Sequence, residues 1–488
     1  MGWANVSPIS LWEGAMSSNA ESQNDKPAPE VQRATSDKKH ENTDQDSQLL
    51  RVLANRFLLQ LDALVETANR IMIITMRSYE RARQEYATFV EPRFKGNDTG
   101  KLTLRSSTPE FQEFQKLNKA VGKASAALVL VPRSFLVSMV TQYDTFLSGT
   151  VRQLFKLKPE KIRSAESSMK IRDIVKFTSI DDLVQQVIDD EIDESMRGNH
   201  IAQLEWITKR FDFSTDFKDP LVQRFAELTE RRNAYVHTDG CINRQYLNVC
   251  SSFPDDIVKD RRLGKRMPVN RAYLEAARDT LFEVGIRVMQ AAWRKQREDQ
   301  RELQDSSLNE VIFDLLQRED YRLARNIADF SGSLRNLASD RNKRLLTINQ
   351  AQAYKWSGKE EQAKKIVDQM DWSSTSANLK MAVALIRDGI AAAARIMSGV
   401  PSDVEGDDAV TAEAYRTWPL FKKARNEPAF LDAFEAKFGE PLVTETITVP
   451  ADAIQDTPIE ATSIEPNPET NSEAGEQANG LTKLEPIN

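Results

Sequence analysis

At 488 residues the chain is too long for one compact core and suggests two to four folded units. No stretch approaches the roughly 18 consecutive apolar residues of a membrane span, and the start "MGWANVSPIS" lacks the features of a signal peptide, so a soluble, cytoplasmic protein with no membrane partner is expected. Two cysteines, Cys241 and Cys250, three histidines and no C-x-x-C pair argue against a disulfide framework or a structural zinc site, and no metal or other cofactor is expected.

The net charge of −7 is unevenly spread. The last 48 residues, from Pro441, carry −8 and residues 1–45 carry −3, which leaves +4 for residues 46–440. A mildly basic folded part permits a nucleic-acid partner without requiring one.

Residues 1–45 are polar and almost without periodic apolar positions, so a disordered N-terminal tail is expected. Residues 46–125 read as a helical N-terminal region. In it Phe57, Leu61, Leu64, Ala68 and Ile71 alternate spacings of four and three, which predicts one long amphipathic helix over 47–90. Its seam packs either within the chain or against a second copy. The break "RFKGNDTGK" follows, then a polar helix over 109–122.

Residues 126–300 read as a helical bundle. Leu136, Val140, Tyr143, Leu147, Val151 and Leu154 form one strongly apolar face that ends before Pro159. Further helices are predicted at about 181–195, 197–210, 219–238 and 269–297, and no alternating β-branched run marks a strand. After the charged stretch "RKQREDQRELQDSS", residues 306–440 read as a second helical domain, available to a protein partner. There "NQAQAYKWSGKEEQAKKIVDQMDW" resembles one helix–turn–helix unit of a tetratricopeptide-like repeat, with small residues at Ala351, Ala353 and Gly358; a solenoid would need further copies. Residues 441–488 read as an acidic disordered tail. The expected fold class is all-α.

One helix breaks its own pattern. Leu221, Phe225 and Leu228 mark a core-facing stripe, yet its continuation falls on Arg232, with Asn233 beside it and His237 five residues on. A charge on a buried stripe is costly unless it is paired, so Arg232 either has a partner or faces a cleft. Asn233 and His237 share one helical face, whereas Arg232 lies roughly 140° round from His237, and a neighbouring subunit is one way to close that gap.

The pattern Arg232-Asn233-x-x-x-His237, ending a helix in an all-helical bundle, resembles the HEPN superfamily. "PRSFLVSMVTQYDTFLSGTVRQLF" looks like the first bundle helix of bacterial members, and "ERRNAYVHTDGCINRQYLNVC" looks like their signature with its Gly-centred turn. The resemblance covers about residues 126–300. It implies a compact bundle that homodimerises across a shared cleft and, in many members, a metal-independent endoribonuclease of stress, toxin or phage-defence systems; other members only bind nucleotides or proteins. Cleaving RNA through its own 2′-hydroxyl needs a group that exchanges a proton near neutral pH, for which histidine is suited. It also needs a fixed cation on the phosphate, for which the guanidinium fork is shaped. On that reading His237 is the general acid or base, Arg232 holds the scissile phosphate, and Asn233 orients a phosphate oxygen or the histidine.

The alternative is purely structural. His237 would finish the helix by bonding its last carbonyls, Gly240 would supply a left-handed turn, and Arg232 would pair with Asp144 on the first bundle helix or with nearby Glu230. Arg261, Arg262, Lys265 and Arg266 in the loop "KDRRLGKR" are candidates for steering RNA toward the motif, the alternative being an ordinary solvated loop. His200 reads as structural, Trp206 as core, and the two cysteines as buried small residues. The aromatics of "TWPLFKKARNEPAFLDAFEAKFG" read as core packing.

Overall fold

No glycine or proline occurs between Val31 and Glu91, and the first helix, α1 (Val31–Phe94), runs through all of that span. The structure, a computed structural model, describes residues 31–94, 104–163, 174, 177–402 and 409–443. The helix thus begins inside the stretch 1–45 that the sequence marks as disordered; residues 1–30 and 444–488 lie outside the described residues. Nothing between Val31 and the apolar seam stops propagation once packing has nucleated the helix. Seam residues Phe57, Leu61 and Ala68 are buried within the chain, whereas Ile71 is 37 % exposed.

The second helix, α2 (Pro109–Leu157), departs from the sequence reading, which placed separate helices on either side of Pro132. Thr108 caps it, accepting from the Phe111 N–H at 3.3 Å, with Pro109 preset in the first turn. It continues through Pro132, and Ser134 Oγ donates to the Leu130 carbonyl at 3.0 Å just beyond that residue. Its apolar face, Leu136 to Leu154, is buried as expected. α2 is the one described helix long and apolar enough to cross a membrane, with a window of mean hydropathy 1.6, and the face from Leu136 onward instead builds the core of the bundle.

The bundle is completed by α3 (Glu160–Arg163), α4 (Ile180–Met196), α5 (His200–Arg210), α6 (Pro220–His237), α7 (Arg244–Cys250) and α8 (Arg271–Gln296). Ser179, Asn199, Asp219, Asn243 and Asn270 cap α4 to α8, each side chain accepting a backbone N–H of the first turn. At its centre Phe57 of α1 stacks on Phe146 of α2 at 4.5 Å, and both rings lie against Gly285 of α8. Each large apolar side chain buried there contributes about 1.5–3 kcal/mol. Among the described residues the fold is all-α; the sole sheet-like feature is an isolated bridge between Cys241 and Arg266.

The chain continues as α9 (Arg301–Gln317), α10 (Tyr321–Ser333), α11 (Asp340–Trp356), α12 (Glu360–Asp368), α13 (Ala377–Ile386), α14 (Ile390–Met397), α15 (Ala412–Thr417) and α16 (Pro428–Phe438). Three helix pairs, α9/α10, α11/α12 and α13/α14, turn in the same way. Each turn places one residue in the left-handed region: Glu319 (φ 59°), Gly358 (φ 78°) and Asp388 (φ 62°). In each, the next N–H reaches back to a carbonyl five residues earlier: Asp320 to Leu315 at 2.9 Å, Lys359 to Tyr354 at 2.9 Å, Gly389 to Ala384 at 2.8 Å. A fully buried alanine follows at the same offset, Ala324, Ala363 or Ala393, and lets the second helix approach closely. The unit resembling a tetratricopeptide-like repeat therefore has two counterparts, with α9, α11 and α13 lying side by side.

The bundle and this array share one apolar core, which runs from Leu50 to Ala353. A charge network crosses the same junction. Asp62 of α1 accepts from Arg278 of α8 and Arg318 at the end of α9, both at 2.9 Å, and Arg278 also reaches Asp320 at the first hairpin turn. The aromatic segment near the C-terminus packs as core, with Tyr415, Phe421, Phe430 and Phe434 fully buried.

Candidate functional site

Helix α6 carries two adjacent arginines whose surroundings differ. Arg231 bonds Glu227 one turn earlier at 2.7 Å and donates to the Pro268 carbonyl at 2.9 Å. Glu227 is 3 % exposed and also accepts from the hydroxyls of Tyr246 and Tyr273, each at 2.8 Å, so its buried charge is fully engaged. This arginine is structural, and the Glu227 it neutralises pins α7 and α8 to α6. Arg232, one residue on, points elsewhere.

The Arg232 side chain is 24 % exposed. Its Nη1 donates to Asn233 Oδ1 at 3.1 Å, and its Nη2 stands 3.7 Å from Asp144 Oδ2, at the loose end of an ion pair. The Nε is buried and has no hydrogen-bond partner. Asp144 gives its other oxygen to His200 Nε2 at 2.9 Å; His200, the first residue of α5, is 5 % exposed, and its Nδ1 is buried without a partner. Glu230 is 4 % exposed, one residue before Arg231. Burial pushes its carboxyl above the usual carboxylate range, opposed by the nearby His200 charge and by hydrogen bonds from Asn233 and Gln245. Asp144, His200, Glu230, Arg232 and Asn233 are thus one cluster built from α2, α5 and α6.

His237 stands apart from that cluster. It is the last residue of α6 and exposed, and among the described residues its ring makes no hydrogen bond. Five residues separate it from Arg232, about 7.5 Å along the axis and far round the helix. The end of α6 is closed without it: the Thr238 and Gly240 N–H groups donate to the Ala234 carbonyl at 2.8 and 2.9 Å. Asp239 (φ 51°) and Gly240 (φ 76°) make the left-handed turn, and a Cβ on Gly240 would collide with the Tyr235 ring. Arg133 of α2 holds this turn, donating to the Asp239 carboxylate at 2.8 Å while its guanidinium lies 5.1 Å from the Tyr235 ring.

Three of the four candidate cations Arg261, Arg262, Lys265 and Arg266 already face a carboxylate. Arg261 bonds Asp255 at 2.7 Å and the Ser251 carbonyl at 3.2 Å, and Arg266 reaches Asp239 at 2.5 Å. Arg262 forks onto Asp260 at 2.7 Å, and those hydrogen bonds hold the Asp260 carboxyl below its usual range. Lys265 is exposed, and its backbone carbonyl takes the Ile242 N–H at 2.9 Å. The loop is therefore docked on the turn that follows His237.

Chemically, the cluster offers a forked cation that no close carboxylate fixes, a carboxamide beside it, and a buried acid whose pKa burial raises. That combination suits an anion with a developing charge. Among the described residues, no group of three or more His, Cys, Asp and Glu side chains is arranged to hold a metal ion. Sequence reasoning read His200 as structural but did not name its partner: Asp144 is 56 positions away, and no local pattern couples them. No family model, no curated protein and no solved structure matches the chain.

Proposed function

We propose that the chain is a HEPN-type, metal-independent endoribonuclease that cleaves RNA through its own 2′-hydroxyl. The observation that carries this reading is the state of Arg232: a guanidinium 24 % exposed among polar side chains, held 3.7 Å from its nearest carboxylate, where a structural arginine such as Arg231 sits at 2.7 Å. Arg232 and Asn233 grip the scissile phosphate, and His237 exchanges the proton. Because His237 does not reach Arg232 along one helix, the working cleft combines Arg232 of one copy with His237 of another in a homodimer.

Purified protein incubated with labelled RNA in EDTA tests this. Cleavage that resists the chelator, leaves cyclic-phosphate ends and disappears in folded Arg232→Ala and His237→Ala variants is the expected result. Mixing the two inactive variants should restore partial activity, since one of the two composite sites in a mixed dimer is intact. Undiminished cleavage by His237→Ala overturns the mechanism, and a failure of mixing to restore activity overturns the composite site.

The three matched hairpins favour a second reading, a non-catalytic helical module that binds a protein partner through its C-terminal array. Wild-type protein that shows no cleavage of any RNA but retains a stable protein partner would support it.

A further inference from the structure

An open groove runs between the second helices of the first two hairpins, α10 and α12, and shares no residue with the Arg232 cluster. Its floor is one face of α11, where Lys343, Thr347, Gln350 and Tyr354 recur at spacings of four, three and four. From Lys343 to Tyr354 the floor rises by roughly 16 Å, the length of about five residues of extended chain. Gly332 of α10 keeps the groove open, since a Cβ there would lie 3.3 Å from the Gln350 carboxamide. At the Lys343 end the groove deepens into a recess of about 200 Å³ with Leu334, Leu337, Leu346 and Met370 in its walls. A single water needs roughly 10–15 Å³, so the recess admits an aliphatic side chain.

The groove is cationic. Lys343, Lys359 and Lys365 are exposed along it, and among the described residues none of them pairs with a carboxylate. Arg325 and Lys359 each lie 5.7 Å from the centre of the Tyr354 ring. The one acid in the lining, Asp329, is already engaged by Gln350 Nε2 and the Tyr354 hydroxyl, both at 2.9 Å. Glu360 and Glu361, next to Lys359 in sequence, turn to Lys423 and Lys364. Gln362 and Gln369, on and just after α12, are exposed.

We propose that this groove binds an acidic peptide in extended form. One aliphatic side chain enters the recess, Asp and Glu carboxylates meet Lys343, Lys359 and Lys365, and the carboxamides of Gln362 and Gln369 bond the peptide backbone. Opposite charge along the groove supplies selection, and the recess supplies register. An RNA strand fits less well: Tyr354, the sole aromatic ring in the lining, has two cations over it and is not free to stack a base. The proposal gives the partner-binding reading a surface and a ligand class. Its test reads peptide binding, not cleavage or capture of a partner, so each can fail alone.

Fluorescence anisotropy of the full chain with a short labelled peptide of Glu and Asp around one Leu tests it. Saturable binding with one site per chain is expected, and a peptide with Gln and Asn in place of the acids should bind at least about tenfold more weakly. The triple variant Lys343→Gln, Lys359→Gln, Lys365→Gln should lose at least about tenfold in affinity for the acidic peptide. Gly332→Gln, which fills the groove and leaves its charge unchanged, should weaken binding as well and separates the groove from general electrostatics. Lys119→Gln with Lys123→Gln, which removes exposed charge from α2, should leave binding unchanged. No binding at millimolar peptide, equal binding of the neutral peptide, or wild-type affinity in the folded triple variant or in Gly332→Gln each overturns the proposal. Displacement of the peptide by equimolar oligouridylate overturns it in favour of an RNA groove.

Discussion

Arg232 Nη2 and Asp144 Oδ2 stand 3.7 Å apart while the same carboxylate is held at 2.9 Å by His200. The histidine thus competes with the arginine for Asp144 and keeps the carboxylate from closing onto the guanidinium. If Arg232 serves a phosphate, Asp144 is its competitor, and Asp144→Asn should tighten RNA binding several-fold because one opposing charge is removed. Fluorescence anisotropy at fixed salt reads this directly. Weaker binding by the folded variant would mean that Asp144 orients Arg232 instead of competing for it.

Arg232→Lys keeps the charge and loses the planar fork. On the nuclease reading, cleavage should fall by about 10²-fold or more, as expected for loss of a donor aimed at a developing charge, with the melting temperature little changed. A lysine variant as active as wild type would reduce the role of Arg232 to simple electrostatics.

Glu230 gives a pH signature. Burial raises its folded-state pKa above the unfolded value, so between those two values the native state binds the extra proton. Its contribution therefore grows as pH falls through the folded pKa, and stability is lost as pH rises through it. Glu230→Gln should be more stable than wild type at neutral pH, with the advantage shrinking toward the ordinary carboxylate range. Urea denaturation at several pH values checks this, and an advantage that widens on acidification would contradict it.

Glu227 tests the structural half of the same helix. Removing it strands Arg231 and the hydroxyls of Tyr246 and Tyr273, so Glu227→Ala should cost about 3–5 kcal/mol. Tyr273→Phe, which removes one bond to the carboxylate, should cost about 1.5–3 kcal/mol. Chemical denaturation measures both, and near-neutral values would show that the network is dispensable.

Gly285 tests the bundle core. A Cβ there would sit 2.9 Å from the Phe146 ring and 3.1 Å from the Phe57 ring, and both rings are buried in the core. Gly285→Ala should therefore destabilise by about 1–3 kcal/mol, despite the roughly 1 kcal/mol gain in helix propensity. A stabilised variant would mean that the stacked pair can repack.

Helices announced by a capping side chain and ended by a turn were legible. Asn199, Asp219 and Asn270 each precede an apolar period, and α5, α6 and α8 follow them within a few residues of the boundaries read from the sequence. Arg232 was legible as a break in a stripe, and Asp144 as its one plausible partner on α2. The repeated hairpins were not. Gly358 and the Asp388–Gly389 pair signal turns, but Glu319 occupies the same left-handed conformation with a side chain that reads as helix interior, so no common sequence signal joins the three turns. His200 was hidden because its role depends on packing α5 against α2, a long-range contact with no local signature. The joining of two helices into α2 was hidden by Pro132, whose cost is outweighed by the buried face that follows.

The ties around Asp62 also bear on how the chain can be divided. One carboxylate of α1 bonds arginines from α8 and α9, and the Leu50–Ala353 core crosses the same boundary. The change in charge near residue 300 suggests a place to cut, yet a piece spanning 126–300 would lose Phe57 from its centre and bare the fully buried Trp293. Such a fragment should aggregate when expressed alone. An exchange of the hairpin array between related chains would have to carry α1 with it.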